Sequence, residues 1–313
     1  MPSIIFNTRT QLHARNTSLS KGGGNECLVV DCGRRNLSFV PSLPGGATKL
    51  DLQNNPNLGS LSPFEPLTTA LSVHSESITW LYIQSAPITD LQENTFASMQ
   101  SLETLEISLT SLTEIRRHAI NPGGSLKTLT FADNKITRFA PDVFQSDLAS
   151  VQNLKFLNMS EFAYAEGQFA NMASLQVFTA NNCGGIEQLP ARLFEGSNKL
   201  QSITFEMNFG VREIVQGCFR GAHSVTHLRL MELRSLTSLA TAGGSQSVLE
   251  GLTGLTDLTI ASGVGGVAEI TVGSFEGQSR SRCITYAHQS TNQNVLADAG
   301  RGRTYTTCPR TTH

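Results

Sequence analysis

His223 and His227 stand four residues apart, the spacing at which a helix would aim two imidazoles at one metal ion. They lie on the approach to a strand-like stretch rather than along a helix, so the geometry for shared ligation is missing. No HExxH, CxxC or GxSxG occurs, which removes the common zinc-hydrolase, thiol-redox and serine-nucleophile arrangements. "GVGG" at 263–266 resembles part of a dinucleotide-binding loop, but it lacks the complete GxGxxG and reads as a turn. Six cysteines remain, at 27, 32, 183, 218, 283 and 308, together with three asparagines that open N-x-S/T acceptor sequons: Asn16, Asn36 and Asn158. The reading is of a binding protein, not an enzyme, with no metal and no cofactor.

Bulk composition narrows the partners. The 313 residues are 39% hydrophobic and 15% charged, the balance of a folding chain. With 23 basic and 25 acidic side chains the net charge is -2. A near-neutral chain exerts no general pull on nucleic acid or on an anionic membrane, so neither is expected as a partner. No apolar run approaches the roughly 20 residues that span a bilayer. The first 26 residues carry one apolar triplet, Ile4 to Phe6, too short for the core of a secretory signal. A signal removed from this chain, another export route and an intracellular life all stay open on this point. The Gly22–Gly24 run reads as part of a flexible segment covering 1–26.

The elements that must position any site repeat along the chain. "LKTLTFADNKITRF" at 126–139 places apolar residues at Leu126, Leu129, Phe131 and Ile136, with Asn134 between the last two. The same frame starts at Ala47, Ile78, Leu102, Leu126, Leu154, Leu175, Leu200, Val225 and Leu255, with spacings of 31, 24, 24, 28, 21, 25, 25 and 30. Phe96, Phe169, Phe194 and Phe219 each fall six residues before the next frame, and Leu249 takes that place before Leu255. The inner alternation is a short strand with its apolar residues turned inward. The following slot, Asn55, Thr110, Asn134, Cys183 or Asn208, turns the chain away, and an asparagine there can satisfy the backbone of a neighbouring coil. One coil cannot bury its apolar side alone, whereas stacked coils share a continuous core.

These segments match the leucine-rich repeat consensus closely, and "CLVVDCGRRNLSFVPSLPGGATKLDL" at 27–52 resembles the N-terminal cap of extracellular animal leucine-rich repeat proteins through Val30, Cys32, Leu37, Val40, Pro41 and Pro44. The overall likeness is to variable lymphocyte receptors and Toll-like receptor ectodomains. The resemblance implies an α/β-type repeat solenoid, a curved horseshoe with a parallel sheet on its concave face and cysteine-containing caps. It divides the chain into a flexible segment 1–26, an N-terminal cap 27–46, about nine repeats over 47–275, and a C-terminal cap and tail over 276–313. It further implies that Cys27 pairs with Cys32 and that Cys283 pairs with Cys308. Cap cysteines imply an oxidising, extracellular setting, secreted or at the cell surface. Family caps usually carry four cysteines, and this one carries two. Cys183 and Cys218 read as small buried residues that do not bond.

What such a fold does lies in the outward residues of its sheet, which the core leaves free to vary. The frame places Trp80, Tyr82, Glu103, Glu106, Thr128, Phe156, Asn158, His227, Arg229 and Met231 on that face. Trp80 is the one tryptophan of the chain. Exposed aromatics are common anchors of binding surfaces, and packing on a neighbouring coil or under the cap is the competing role for Trp80. Nine strands at about 4.8 Å spacing span roughly 40 Å, which suits a protein, peptide or glycan better than a small molecule. The expectation is an extracellular ligand-recognition module of immune or receptor type, its ligand on a microbial or cell surface, with an adhesion, matrix or guidance protein as the alternative. Oligomeric state is not legible in the sequence.

Overall fold

The computed structural model describes residues 13–16, 28–37, 40, 43, 46–58, 76–236, 239, 248–262 and 283–288. The chain divides into two compact units, Met1–Val151 and Gln152–His313. The first contains β1 (His13–Asn16), β2 (Leu28–Asp31), β3 (Ala47–Asp51), β4 (Trp80–Gln84), β5 (Thr104–Ser108), β6 (Glu114–Ile115), β7 (Thr128–Ala132) and β8 (Arg138–Phe139). Here β1 pairs antiparallel with β2, and β2, β3, β4, β5 and β7 then run parallel in that order. The second contains β9 (Asn153–Leu157), β10 (Val177–Asn181), β11 (Gln188–Leu189), β12 (Ser202–Glu206), β13 (Glu213–Ile214), β14 (His227–Met231), β15 (Asp257–Ser262) and β16 (Cys283–His288). Its long strands run parallel in the order β9, β10, β12, β14, β15, β16. On the return legs, β6 pairs with β8 in the first unit and β11 with β13 in the second. Both units are leucine-rich repeat solenoids.

Strand alternation sets the layers. In β4, β9, β10 and β12 the second and fourth residues are buried and the other three half-exposed, as a period-two strand over a core on one face requires. The phenylalanines six residues ahead of the frames, Phe96, Phe169, Phe194 and Phe219, are fully buried. In the second unit they join an aromatic spine: Phe169 stacks on Phe194 at 5.8 Å, and Phe178 meets Phe169 at 4.8 Å and Phe205 at 5.6 Å.

The asparagine slot works as its chemistry suggests. Asn55 accepts the N–H groups of Arg35 and Leu37 on Oδ1 and donates Nδ2 to the carbonyls of Cys32 and Leu52. Asn134 accepts the Thr110 N–H and donates to the Ile107 carbonyl. Asn208 accepts the Cys183 N–H and donates to the Ala180 carbonyl. Each buried side chain satisfies backbone groups of the preceding coil that would otherwise cost about 1–3 kcal/mol apiece. Cys183 fills the slot in its own coil, its Sγ 3.6 Å from the Phe156 carbonyl oxygen.

After each of β2, β3, β4, β5, β7, β9, β10, β12 and β14 the chain turns through a left-handed residue. The column is Arg34, Asn54, Ser85, Leu109 and Asp133 in the first unit and Asn158, Asn182, Met207 and Glu232 in the second, with φ between 50° and 57°. Leu109 donates its N–H to the Ala132 carbonyl and Met207 to the Met231 carbonyl, so the turn keeps its backbone bonded to the next coil.

One expectation changes. The fifth repeat does not start at Leu154. β9 pairs with β10 so that Leu154 stands opposite Phe178 and Phe156 opposite Ala180, which makes Val151 the first position. The frame then runs from Leu126 to Val151 to Leu175, with spacings of 25 and 24 in place of 28 and 21. Residues 13–16, inside the segment expected to be flexible, form β1 against β2. Residues 283–288, inside the expected C-terminal cap, extend the repeat sheet as β16. Among the described residues no helix occurs, and the described return legs are turns and two-residue strands.

Candidate functional site

The sheet face opposite the core carries the candidate site. In the first unit the register aligns Lys49, Trp80, Thr104 and Thr128 in one row and Asp51, Tyr82, Glu106 and Thr130 in the next. Trp80 and Tyr82 are half-buried, their ring centroids 5.6 Å apart and tilted by 43°. Strand alternation puts two residues of one strand on the same side, and here it builds a two-ring platform with a lysine at one edge and Glu106 at another. Partial burial raises the Tyr82 phenol pKa, and the carboxylates of Glu106 and Asp51 push the same way, against a lowering contribution from the Ser108 hydroxyl. The phenol is therefore a hydrogen-bonding group at neutral pH. Glu103 lies just before β5, and its carboxylate meets Lys127 Nζ at 2.5 Å.

In the second unit His227, Arg229 and Met231 all face outward on β14. His227 Nε2 is 3.4 Å from the Asp257 carboxylate, and its Nδ1 is 2.8 Å from the Thr226 hydroxyl. Arg229 Nη2 reaches the Met231 sulfur at 3.6 Å. His223 instead lies on the return side, with Nδ1 3.3 Å from the Thr253 hydroxyl.

Two expected site residues are elsewhere. Phe156 is fully buried, with Phe162 at 5.2 Å and Phe169 at 5.7 Å, because the corrected register turns it into the core. The outward residues of that coil are Asn153, Lys155 and Leu157. Asn158 is exposed but belongs to the left-handed turn beyond β9, not to the strand face, and its Oδ1 accepts from Asn182 Nδ2.

Asn36 is exposed and left-handed, and its Oδ1 accepts from Asn57 Nδ2 at 2.8 Å. Asn16 closes β1. Cys32 is a free, buried thiol in place of the expected Cys27–Cys32 bridge, and Cys183 and Cys218 are likewise free and buried. Cys27 and Cys308 lie outside the described residues, and Cys283 opens β16. Burial raises the pKa of Cys32 to about 12, helped by Asp31 and Asp51, and that of Cys183 to about 11. Among the described residues no group of three His, Cys, Asp or Glu is placed to hold a metal, and no helix is long and apolar enough to cross a membrane.

The frame missed three exposed apolar side chains: Leu109, Met207 and Phe209. For Leu109 and Met207 the signal lies in the turn column, where the other described coils place a polar residue.

Strand, asparagine slot and left-handed turn define a leucine-rich repeat protein whose sheet carries one face that the core does not occupy. The chain belongs to the BspA-type leucine-rich repeat family, whose profile matches residues 72–150 and 148–279 in six copies. Human leucine-rich repeats and immunoglobulin-like domains protein 3 is 26% identical over 56% of this chain and 17% of its own length. The mouse platelet glycoprotein Ib alpha chain is 31% identical over 50% of this chain and 20% of its own. The chain thus spans about a fifth or less of these relatives. Among solved structures, the TLR13–ssRNA13 complex aligns with TM-score 0.42 and 14% identity over 77% of this chain and 43% of that one. The Drosophila Toll–Spatzle complex aligns with TM-score 0.42 and 15% identity over 78% and 36%.

Proposed function

We propose that this chain is the ligand-recognition module of a receptor-type leucine-rich repeat protein working outside the cell, and that it holds a protein or glycan on the concave sheet face, opposite the core, around Trp80 and Tyr82. The observation that carries this reading is the paired aromatic platform. Two large rings stand on a face the core does not claim, where a solenoid spends nothing to keep a polar residue instead. Glu106 and Thr128, on the two strands that follow, supply polar groups that can orient a ligand above the rings. A relative named as a platelet glycoprotein, together with the sequons at Asn16, Asn36 and Asn158, supports an extracellular setting.

The test is a binding screen of the full chain against microbial polysaccharides, host matrix proteins and cell-surface ectodomains. Trp80→Ala with Tyr82→Ala is expected to weaken the strongest hit by at least about 1–2 kcal/mol while the melting temperature holds. Unchanged affinity, or a collapse in melting, returns the two rings to a packing role. A hit confined to matrix or host receptors favours adhesion, and one confined to microbial surfaces favours immune recognition.

A further inference from the structure

Met207 and Phe209 are two of the three exposed large apolar side chains among the described residues, and they share one turn. Met207 adopts φ 54°, a conformation that suits asparagine or glycine better than methionine. Neither local backbone preference nor core burial accounts for an apolar residue there. The Arg234 guanidinium lies 4.5 Å from the centre of the Phe209 ring, and its Nε is 3.3 Å from a Glu232 carboxylate oxygen. The Ser235 hydroxyl donates to the Phe209 carbonyl at 2.6 Å, tying the two turns together. Arg234 is thus committed to holding the ring as a shelf.

Arg229 is not committed in this way. It is exposed on β14, its guanidinium reaches the Met231 sulfur, and its in-register neighbours are Thr204 and Thr259. Among the described residues no carboxylate comes within 4.0 Å of its guanidinium, whereas Arg192, Arg220 and Arg234 each have one. Met231 joins the two features. Its sulfur meets Arg229, and its carbonyl accepts the Met207 N–H at 2.9 Å. A cation with no carboxylate in contact is thus linked, through Met231, to an exposed apolar shelf within the second unit.

We infer that this patch is a second docking surface, distinct from the aromatic platform, and that its occupant is an extended acidic peptide segment of a partner protein. A carboxylate of the segment pairs with Arg229, and a large apolar side chain lies on Met207 and Phe209. Arg229 and Met231 are two positions apart on one strand, about 7 Å, and the Met231 carbonyl holds the Met207 turn. The same interval separates side chains on one face of an extended peptide, and the partner's carboxylate and apolar side chain are assigned that two-residue spacing. A guanidinium engages a carboxylate through two parallel hydrogen bonds, which fixes the segment's direction.

The experiment uses four labelled peptides of otherwise identical sequence, titrated against the full chain. They pair aspartate or lysine with phenylalanine or serine two residues away. The aspartate–phenylalanine peptide is expected to bind, more weakly as salt rises, with the other three at least about tenfold weaker. Arg229→Gln, and separately Met207→Ser with Phe209→Ser, each reduce that binding by at least about tenfold at unchanged melting temperature. Trp80→Ala with Tyr82→Ala leaves it intact, which separates this surface from the platform, so either can fail alone. Equal binding of all four peptides, binding of none, or an indifferent Arg229→Gln overturns the inference. So does concentration-dependent self-association abolished by Met207→Ser with Phe209→Ser, which would assign the shelf to a second copy of the chain.

Discussion

The side-chain oxygen of Asn208 accepts the backbone N–H of Cys183 at 2.7 Å, while its amide nitrogen donates to the Ala180 carbonyl at 3.0 Å. One fully buried side chain thus closes the backbone of the coil before it. The same device appears at Asn55 and Asn134. It accounts for a polar residue recurring at a core position of an apolar repeat.

Asn208→Ala should therefore destabilise the second unit by about 2–4 kcal/mol, since it strands a donor and an acceptor together. Asn208→Asp keeps an acceptor and, while protonated, an O–H donor for the Ala180 carbonyl, so it should lie nearer wild type than alanine below the carboxylate's ionisation range; once ionised it loses the donor and buries a charge, so its stability should fall above that range. Chemical denaturation of the three proteins across acid to neutral pH checks the order. Equal stability of all three would remove the asparagine from its backbone role.

Phe156→Ala should cost about 3–5 kcal/mol, the loss expected for a large ring deleted from a packed core. Lys155→Ala, on the outward side of the same strand, should stay within about 0.5 kcal/mol. Thermal or urea unfolding of the pair distinguishes the observed register from one three residues later, which would expose Phe156.

Gly251 has φ +98°, and a Cβ there would sit 2.4 Å from the Phe219 carbonyl oxygen and 2.9 Å from the Arg220 Cα. Both atoms belong to the backbone of the preceding coil and cannot swing aside. Gly251→Ala should lower stability by more than the roughly 1 kcal/mol that glycine-to-alanine changes usually move in either direction. A melting temperature at or above wild type would contradict this close approach.

The buried thiols make the protein sensitive to alkali. Burial raises Cys183 from 9.0 to about 11 and raises Cys218 further in the same direction. Between the unfolded and folded values the unfolded chain has released a proton that the folded chain keeps, so rising pH favours unfolding. Stability should be level below about pH 8 and decline from about pH 9 upward, by about 1.4 kcal/mol per pH unit for each such thiol. Cys183→Ala with Cys218→Ala should make the decline shallower, leaving the part that comes from Cys32, which burial raises to about 12. Native protein at pH 8 should also resist iodoacetamide at both sites until denatured, because the thiolate is the reacting form.

The extracellular setting has its own test. Non-reducing peptide mapping of protein secreted from eukaryotic cells should find glycan on the exposed Asn36 and Asn158, and reads the pairing of Cys27, Cys32, Cys283 and Cys308 in the same run. Bare asparagines after secretion would remove the sequons from the argument.

The sequence by itself determined the repeat, the inward residues of eight of the nine frames, the backbone role of the slot asparagines and the outward placement of Trp80, Tyr82 and Arg229. It could do so because strand alternation and the need to share a core act through residue spacing alone. The fifth frame was not settled this way. From Val151 or from Leu154 the residues satisfy the same apolar pattern, and only pairing with β10 decides between them, turning Phe156 inward and Asn158 into the turn. The shelf of Met207, Phe209 and Arg234 also had to wait for the tertiary structure. Its members come from turns in adjacent coils, 25 or more residues apart in sequence at Phe209 and Arg234, and stacking of coils brings them together. Spacing dictates which face a residue takes within its own coil. Contacts between coils depend on register, and register is a property of two strands rather than one.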